Sequence, residues 1–568
     1  MRRSNDRISA RRRESDEKSS QALETGRNRL VVTGIVIAAS FLAVAARLVD
    51  VAFLESDRHP RLAYGHATAP ERRADILDRN GVLLATSLET AWLYANPRKV
   101  IDAKEAAYQL RSVLPDIDAI VTLDKLSGDG SFAWIKRDLT PKQKYSVNRL
   151  GLPGLDFRSG SRRTYPLGDL AAHVVGFTSI DGVGLAGIER SQDVELAHTP
   201  IYLTLDVRLQ HMLRQALMPQ IEKFKAIGGG GIVLDARNGE VLALVSLPDF
   251  DPNAAGKISA DAEFNRVTHG VYELGSVFKI FNHAMVLETG TASLADSYDA
   301  TKPLPVGRFT ISDFHPENRW LTVPEIFMHS SNIGAAQMAL AAGPEAQKKF
   351  LSKLGLMHSS PIELPRLELG KPKYPERWVP SSTMTVAFGH GISVSLLHLS
   401  TAVAAVVNGG VMHAPTLIRR RAGASVPGTR VLSAKVSDQM RRLMRLVVER
   451  GTGKNANVPG YLVGGKTGTA EKSVNGGYSR DKLISSFVAA FPIDRPRYVL
   501  VVMLDEPKGN KESHGYATGS WTAAPVVARM IAGMAPLMGI APVDEEAPDV
   551  RRALSLRLNS QDPRVETF

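Results

Sequence analysis

The chain has 568 residues, 44% of them apolar and 23% charged, with a formal charge of +12 and no cysteine. This length exceeds one ordinary domain and the apolar content suffices for packed cores, so two or three domains are expected and a wholly disordered chain is excluded. The missing cysteines exclude disulfides, thiolate nucleophiles and thiolate metal sites in any compartment.

Positive charge is concentrated at the start. Residues 1–29 hold Arg2, Arg3, Arg7, Arg11, Arg12, Arg13, Lys18, Arg27 and Arg29 among few apolar residues, a pattern open to a nucleic-acid arm or a cytoplasmic tail. Residues 30–46, LVVTGIVIAASFLAVAA, carry no charge, and about 17 residues is the lower limit for crossing a bilayer core. Arg47 can snorkel to the headgroups and lengthen the span. We therefore expect a cytoplasmic basic tail over 1–29 and a retained single-pass anchor over 30–50, with the rest of the chain outside the cytoplasm. No nucleic-acid partner is expected. Ala43-Val44-Ala45 leaves a cleavable signal peptide as the alternative, against which the long polar leader and the length of the apolar run both count.

Residues 55–200 read as turns and short strands, without a long amphipathic helix. Asn80-Gly81, between ADILDR and VLLATS, is a hairpin signal, because the dipeptide tolerates positive φ. Tyr165-Pro166-Leu167-Gly168 reads as another turn. From residue 201 the texture changes: Leu209, Leu213, Leu217 and Ile221 form one helical stripe. After Gly228–Gly231, two strands flank Arg237-Asn238-Gly239, a second hairpin turn. Helical stretches (IFNHAMVLETG, LHLSTAVAAVV, SDQMRRLMRLVVER) then alternate with strands (SSFVAAFP, YVLVVMLD). Hairpin-joined strands with helices inserted as a block predict an α+β domain over 201–540. Residues 541–568 are charged and proline-containing, and read as a loose tail.

A serine hydroxyl is a weak nucleophile and needs a neighbour to take its proton. In Ser276-Val277-Phe278-Lys279, residues i and i+3 of a helix share a face, so the lysine amine can lie beside the hydroxyl. Such a lysine works as a base only if burial or a second cation depresses its pKa. Gly275 leaves room for backbone amides to approach a developing oxyanion at a helix N-terminus. The tetrapeptide recurs by chance at Ser15–Lys18, so alone it does not exclude an ordinary N-capping serine. Two further elements single out Ser276. Ser330-Ser331-Asn332 starts a helix and offers a hydroxyl relay and an amide. Lys466-Thr467-Gly468-Thr469 occurs once, on a strand whose small residues admit a peptide alongside. The three in this order match the set used by penicillin-binding proteins and β-lactamases.

With ADILDRNGVLLATS, RRTYPLGDLAAHVVGF, GLAGIER, LPDFDPN, NRVTHGVYELGSVFK, FGHGISVSLLHLSTAVAAVVNGG and ERGTGKNANVPGYLVGGKTGTAEK beside those motifs, the chain resembles a class B penicillin-binding protein from the anchor to about residue 535. It is most similar to the septal branch, since Ser-Ser-Asn stands where the elongation branch usually has Asp. The resemblance implies an elongated, non-catalytic pedestal of the dimerisation type over 55–200. It implies a transpeptidase domain over 201–540, in which a five-stranded antiparallel sheet is flanked by helices. Ala74, Leu274 and Val277 stand where Gly, Pro and Thr are common, which touches loop geometry and no reacting group.

The implied reaction is peptidoglycan D,D-transpeptidation. Ser276, deprotonated by Lys279, attacks the carbonyl of the penultimate D-alanine of a stem peptide and expels the terminal one. Ser330 passes a proton to the leaving amine and Asn332 holds the donor amide. Lys466 adds a positive field. Thr467, Gly468 and Thr469 line the substrate, with both threonines on its carboxylate, and the amides of Ser276 and Thr469 form the oxyanion hole. An acceptor amine then resolves the acyl-enzyme. No cofactor or metal is implied. The implied partners are the inner membrane, β-lactams as covalent inhibitors, a membrane-embedded glycan polymerase (FtsW-like) and other divisome proteins, with the bulk of the chain periplasmic.

Two rival readings come from other classes. Gly182-Val183-Gly184-Leu185-Ala186-Gly187 satisfies G-x-G-x-x-G, with Asp206 about 20 residues on, the pattern of a dinucleotide site. The pedestal motif GLAGIER accounts for the same glycines. A silent divisome scaffold of the same fold, or an elongation-type enzyme, would also carry these motifs. His315, His329, His390 and His398 are scattered and suggest no metal site.

Overall fold

The computed structural model describes residues 34, 37–42, 44–45, 73–307, 309–421, 423–474 and 477–556. Residues 69–568 form one compact unit. The basic tail, most of the expected anchor and residues 557–568 lie outside the described residues; residues 34, 37–42 and 44–45 are helical. Among the described residues no helix is long and apolar enough to cross a membrane.

The N-terminal sheet is organised by one long strand. β1 (Ile76–Leu77) turns at Asn80-Gly81 into β2 (Leu83–Ala95), where Gly81 takes φ +87° and Asp78 accepts from the backbone N–H groups of Asn80 and Val82. β2 pairs antiparallel with β3 (Ala133–Leu139) and β4 (Leu155–Thr164), while β1 pairs in parallel with β5 (Ile201–Tyr202). Contrary to the expectation of turns and short strands, β2 runs 13 residues and three helices cover this region: α1 (Ala103–Val113), α2 (Ala119–Leu126) and α3 (Pro141–Asn148). Their start signals are local. Asp102 and Asp118 cap α1 and α2, and Thr140 with Gln143 forms a capping box on α3. The buried stripe of α1 is Ala106, Ala107 and Leu110, too small to register as an apolar periodicity.

The C-terminal sheet is five-stranded and antiparallel. Its order is β8 (Gly464–Val474), β9 (Gly477–Phe491), β10 (Tyr498–Asp505), β6 (Gly228–Asp235), β7 (Val241–Leu247). Both faces are covered, and the strand period sorts the residues. In β10, Val499, Val501 and Met503 join one core, and Tyr498, Leu500, Val502 and Leu504 the other. The second core is closed by α4 (Val207–Lys223) and a late helix, Ala524–Leu537. The four-glycine run explains how closely α4 approaches: a Cβ on Gly231 would lie 3.0 Å from Leu213, and one on Gly229 3.1 Å from Ile221. On the other face lie α5 (Lys279–Glu288), α6 (Asn332–Ala342), α7 (Leu396–Val407) and α8 (Ala434–Glu449). α7 is buried along its whole length, and its three polar residues, His398, Ser400 and Thr401, are hydrogen-bonded.

The loose tail expected from 541 onward is corrected in part. Residues Pro548–Leu554 form a helix, and Val543, Val550, Leu554 and Leu556 pack on the core. Glu545 accepts from Arg445 at 2.5 Å and from the Gly460 N–H at 2.8 Å. Charge here holds the segment down instead of dissolving it.

The glycines of the dinucleotide-like pattern are used for packing. A Cβ on Gly184 would lie 2.0 Å from the Glu189 carbonyl oxygen, and one on Gly187 2.6 Å from Gly176 N. The Gly187 N–H donates to the Glu368 carboxylate at 3.1 Å, which places an anion where a phosphate would have to sit.

Candidate active site

Ser276 lies in a single 3-10 turn, Gly275–Phe278, and the α-helix proper begins at Lys279. The expected helical face is thus sharper than an α-helix would make it, since residues i and i+3 eclipse in a 3-10 turn. Nζ of Lys279 is 2.8 Å from Oγ of Ser276. Gly275 has φ +60°, and a Cβ there would lie 2.5 Å from the Thr469 carbonyl oxygen. Glycine is therefore what lets β8 lie against the turn that carries Ser276. The departures Leu274 and Val277 are both fully buried beneath the site.

Ser330 and Asn332 come in from the start of α6. Ser331 caps that helix, and Asp313 accepts from Ser331 Oγ (2.7 Å), Asn332 N–H (2.5 Å) and Ile333 N–H (3.0 Å). Ser330 adopts φ +61°, a conformation that costs a non-glycine residue on the order of 1–3 kcal/mol. The strain turns its carbonyl and hydroxyl toward the same point: Lys279 Nζ lies 2.8 Å from Ser330 O, 3.2 Å from Ser330 Oγ and 2.7 Å from Asn332 Oδ1.

Lys466 reaches the cluster from β8, an edge strand whose free side faces the cleft. Its ammonium donates to Ser330 Oγ at 2.9 Å and to the Thr467 carbonyl at 3.3 Å. Thr467 Oγ1 is 2.7 Å from Thr452 Oγ1, and Thr469 Oγ1 accepts from Gly519 N–H at 3.2 Å. A Cβ on Gly468 would lie 2.4 Å from the Leu274 carbonyl oxygen. All eight residues singled out in the sequence thus converge on one cleft.

Both lysines are fully buried. Burial holds Lys279 well below the usual lysine range, the charge of Lys466 pushes it the same way, and Asp313 opposes both. Burial lowers Lys466 to about 7. Sequence reading missed Asp313 and Thr452, which carry no motif of their own. Among the described residues no group of three or more His, Asp or Glu side chains is placed to hold a metal ion.

A buried lysine beside a half-buried serine, a second serine at positive φ between two lysines and a lysine-bearing edge strand on this sheet define a serine acyltransferase of the penicillin-binding kind. Residues 229–532 match the penicillin-binding protein transpeptidase domain and residues 68–199 the penicillin-binding protein dimerisation domain. The chain is 41% identical over 492 residues to the probable peptidoglycan D,D-transpeptidase FtsI of Caulobacter vibrioides, covering 84% of this chain and 83% of that one. It is 34% identical to the probable peptidoglycan D,D-transpeptidase PenA of Neisseria meningitidis, covering 91% and 94%. Among solved structures, penicillin binding protein 3 of Mycobacterium tuberculosis complexed with aztreonam superposes with a TM-score of 0.67 at 26% identity, over 84% of this chain and 98% of that one. The chain belongs to the class B penicillin-binding proteins, the peptidoglycan D,D-transpeptidases.

Proposed function

We propose that the chain cross-links peptidoglycan stem peptides for the septal wall through an acyl-enzyme on Ser276. The observation that carries this reading is a wholly buried lysine amine 2.8 Å from a serine hydroxyl. A neutral Lys279 has two N–H donors and one lone pair. The donors satisfy Ser330 O and Asn332 Oδ1, leaving the lone pair to accept the Ser276 O–H. As Oγ attacks the penultimate D-alanine carbonyl, the proton moves to Nζ, and Ser330 Oγ, which touches both lysines, relays it to the departing D-alanine amine. Asn332 holds the donor amide, Thr467 and Thr469 hold the terminal carboxylate in the field of Lys466, and the amides of Ser276 and Thr469 receive the oxyanion. Residues 30–50 anchor the chain in the inner membrane beside a membrane-embedded glycan polymerase, with the pedestal (55–200) and catalytic domain (201–540) in the periplasm. The likeness to FtsI supports the septal assignment.

The direct test is turnover of a pentapeptide ending in D-Ala-D-Ala with an added amine. The expected products are one free D-alanine per new amide; a protein that releases no D-alanine under any acceptor contradicts the proposal.

The two lysines also set a pH profile. Lysine is charged below its pKa and neutral above it. Second-order acylation by a β-lactam should rise as Lys279, held well below the usual lysine range by burial, loses its proton, and fall as Lys466 loses its charge at about 7. In Lys466→Arg the guanidinium stays charged, so the alkaline limb should vanish while the acid limb remains. An unchanged alkaline limb in that variant removes Lys466 from the account.

A further inference from the structure

Opposite Ser330 and Asn332, the turn carrying Ser276 is bordered by a loop, residues 388–391, whose groups the reaction above does not use. The loop is pressed onto the nucleophile's own backbone: a Cβ on Gly389 would lie 2.2 Å from the Gly275 carbonyl oxygen. Phe388 has its ring 6.0 Å from Lys279 Nζ, and His390 packs 5.3 Å from Phe388 and stacks on Tyr478, with centroids 5.4 Å apart. The far end of the loop meets Glu273, three residues before the nucleophile. Its Oε1 accepts the Gly391 N–H at 3.1 Å, and the Tyr478 hydroxyl donates to both carboxylate oxygens, at 3.2 and 3.1 Å.

A carboxylate offers about four acceptor positions, and two donors leave Glu273 with capacity to spare. Asp313, the carboxylate felt by Lys279, accepts three donors and is built into the cap of α6. Burial raises Glu273 above the usual carboxylate range. Burial raises the Tyr478 phenol, and the charges of Glu273 and Glu471 push it the same way. Lys466 is a cation beside Ser330. Glu273 thus sets a carboxylate three residues before Ser276, and that carboxylate has no use in donor binding: the donor ends in a carboxylate, which Glu273 repels.

Given the transpeptidase reading, we propose that Glu273, held by Tyr478 and the Gly391 N–H, binds the acceptor as a cationic primary amine on a flexible side chain. The His390 and Phe388 rings wall the approach, and the carboxylate aligns the ammonium on the side of the acyl-enzyme away from Ser330. The ammonium loses one proton to solvent before attack. As its nitrogen bonds to the acyl carbon, a second proton passes through Lys279 to Ser276 Oγ, whose bond to the acyl group breaks. Glu273 here selects and orients the second substrate.

The test separates the two half-reactions in the full-length protein. Acylation is followed with a fluorescent penicillin, and partition of the acyl-enzyme is followed with a D-Ala-D-Ala pentapeptide, as amide formed over acid formed. The acceptors are Nα-acetyl-lysine, whose ε-amine is cationic at pH 7, and hydroxylamine, which is neutral there. For Glu273→Gln the amide-to-acid ratio with Nα-acetyl-lysine should fall at least about tenfold more than the labelling rate, with a smaller loss for hydroxylamine. Glu273→Asp should recover part of the ratio. Equal losses for both acceptors, or labelling and partition falling together, overturn the proposal, since Glu273 would then only shape the nucleophile's turn. Absence of label in the wild type instead sinks the transpeptidase reading beneath it.

Discussion

Ser276→Ala is expected to abolish covalent labelling by penicillin, and Lys279→Ala to slow it by about 10³-fold, within the range of a lost general base. The two differ because alanine at 276 leaves no atom to acylate, whereas alanine at 279 leaves the hydroxyl and its oxyanion donors in place. Folding should survive the second change. Lys279 hydrogen-bonds to Ser276, Ser330 and Asn332 and to no carboxylate, so its removal strands no buried charge. The freed Ser330 and Asn332 oxygens face a cleft that water can enter. A melting curve close to wild type beside the slowed labelling checks this. Labelling of Lys279→Ala at the wild-type rate would mean that another group deprotonates the serine.

The largest stability effect is expected far from the nucleophile, at Glu189. This side chain has no exposure, and it accepts from Arg73 Nε at 2.5 Å and from Arg163 Nε at 2.7 Å, both arginines being nearly buried themselves. Arg73 also donates to the Glu189 carbonyl, and Arg163 donates to the carbonyls of Arg73 and Ala74. One carboxylate thus joins the chain before β1, strand β4 and the GLAGIER turn. Removing one partner of a buried ion pair leaves uncompensated charge, so Glu189→Ala should cost about 3–5 kcal/mol and lower Tm by on the order of 10 °C. Glu189→Gln, which keeps acceptor capacity on one oxygen, should lose less. The turn around Ser276 contains neither arginine, so the fraction of Glu189→Ala that is folded at low temperature should still label. A Tm within a degree of wild type would show that the arginines find other partners.

The sequence carried the serine–lysine cluster unusually well because each part is a local pattern. Ser276 and Lys279 are three residues apart, Ser330 to Asn332 open a helix, and Lys466 to Thr469 line a strand edge. What joins them was not legible. Asp313, which fixes the start of α6, lies 18 positions before Ser331, across a strand and a helix, and matches no pattern. The Glu273–Tyr478 contact spans 205 residues. The same division runs through the fold. The strands of the C-terminal sheet and the Leu209, Leu213 and Leu217 stripe show their periods openly. Helix α1 hides its buried face in alanines, and the helix Pro548–Leu554 is held by Val550, Leu554 and the Glu545–Arg445 pair, which act only once the core exists.

The central claim is that one hydroxyl, that of Ser276, carries the acyl group, and the adduct itself is the most direct witness. The full-length protein incubated with penicillin, digested and analysed by mass spectrometry should carry a single penicilloyl group on the peptide that contains Ser276. An adduct on a different residue, such as Ser330, or no adduct on a folded protein, would contradict the account.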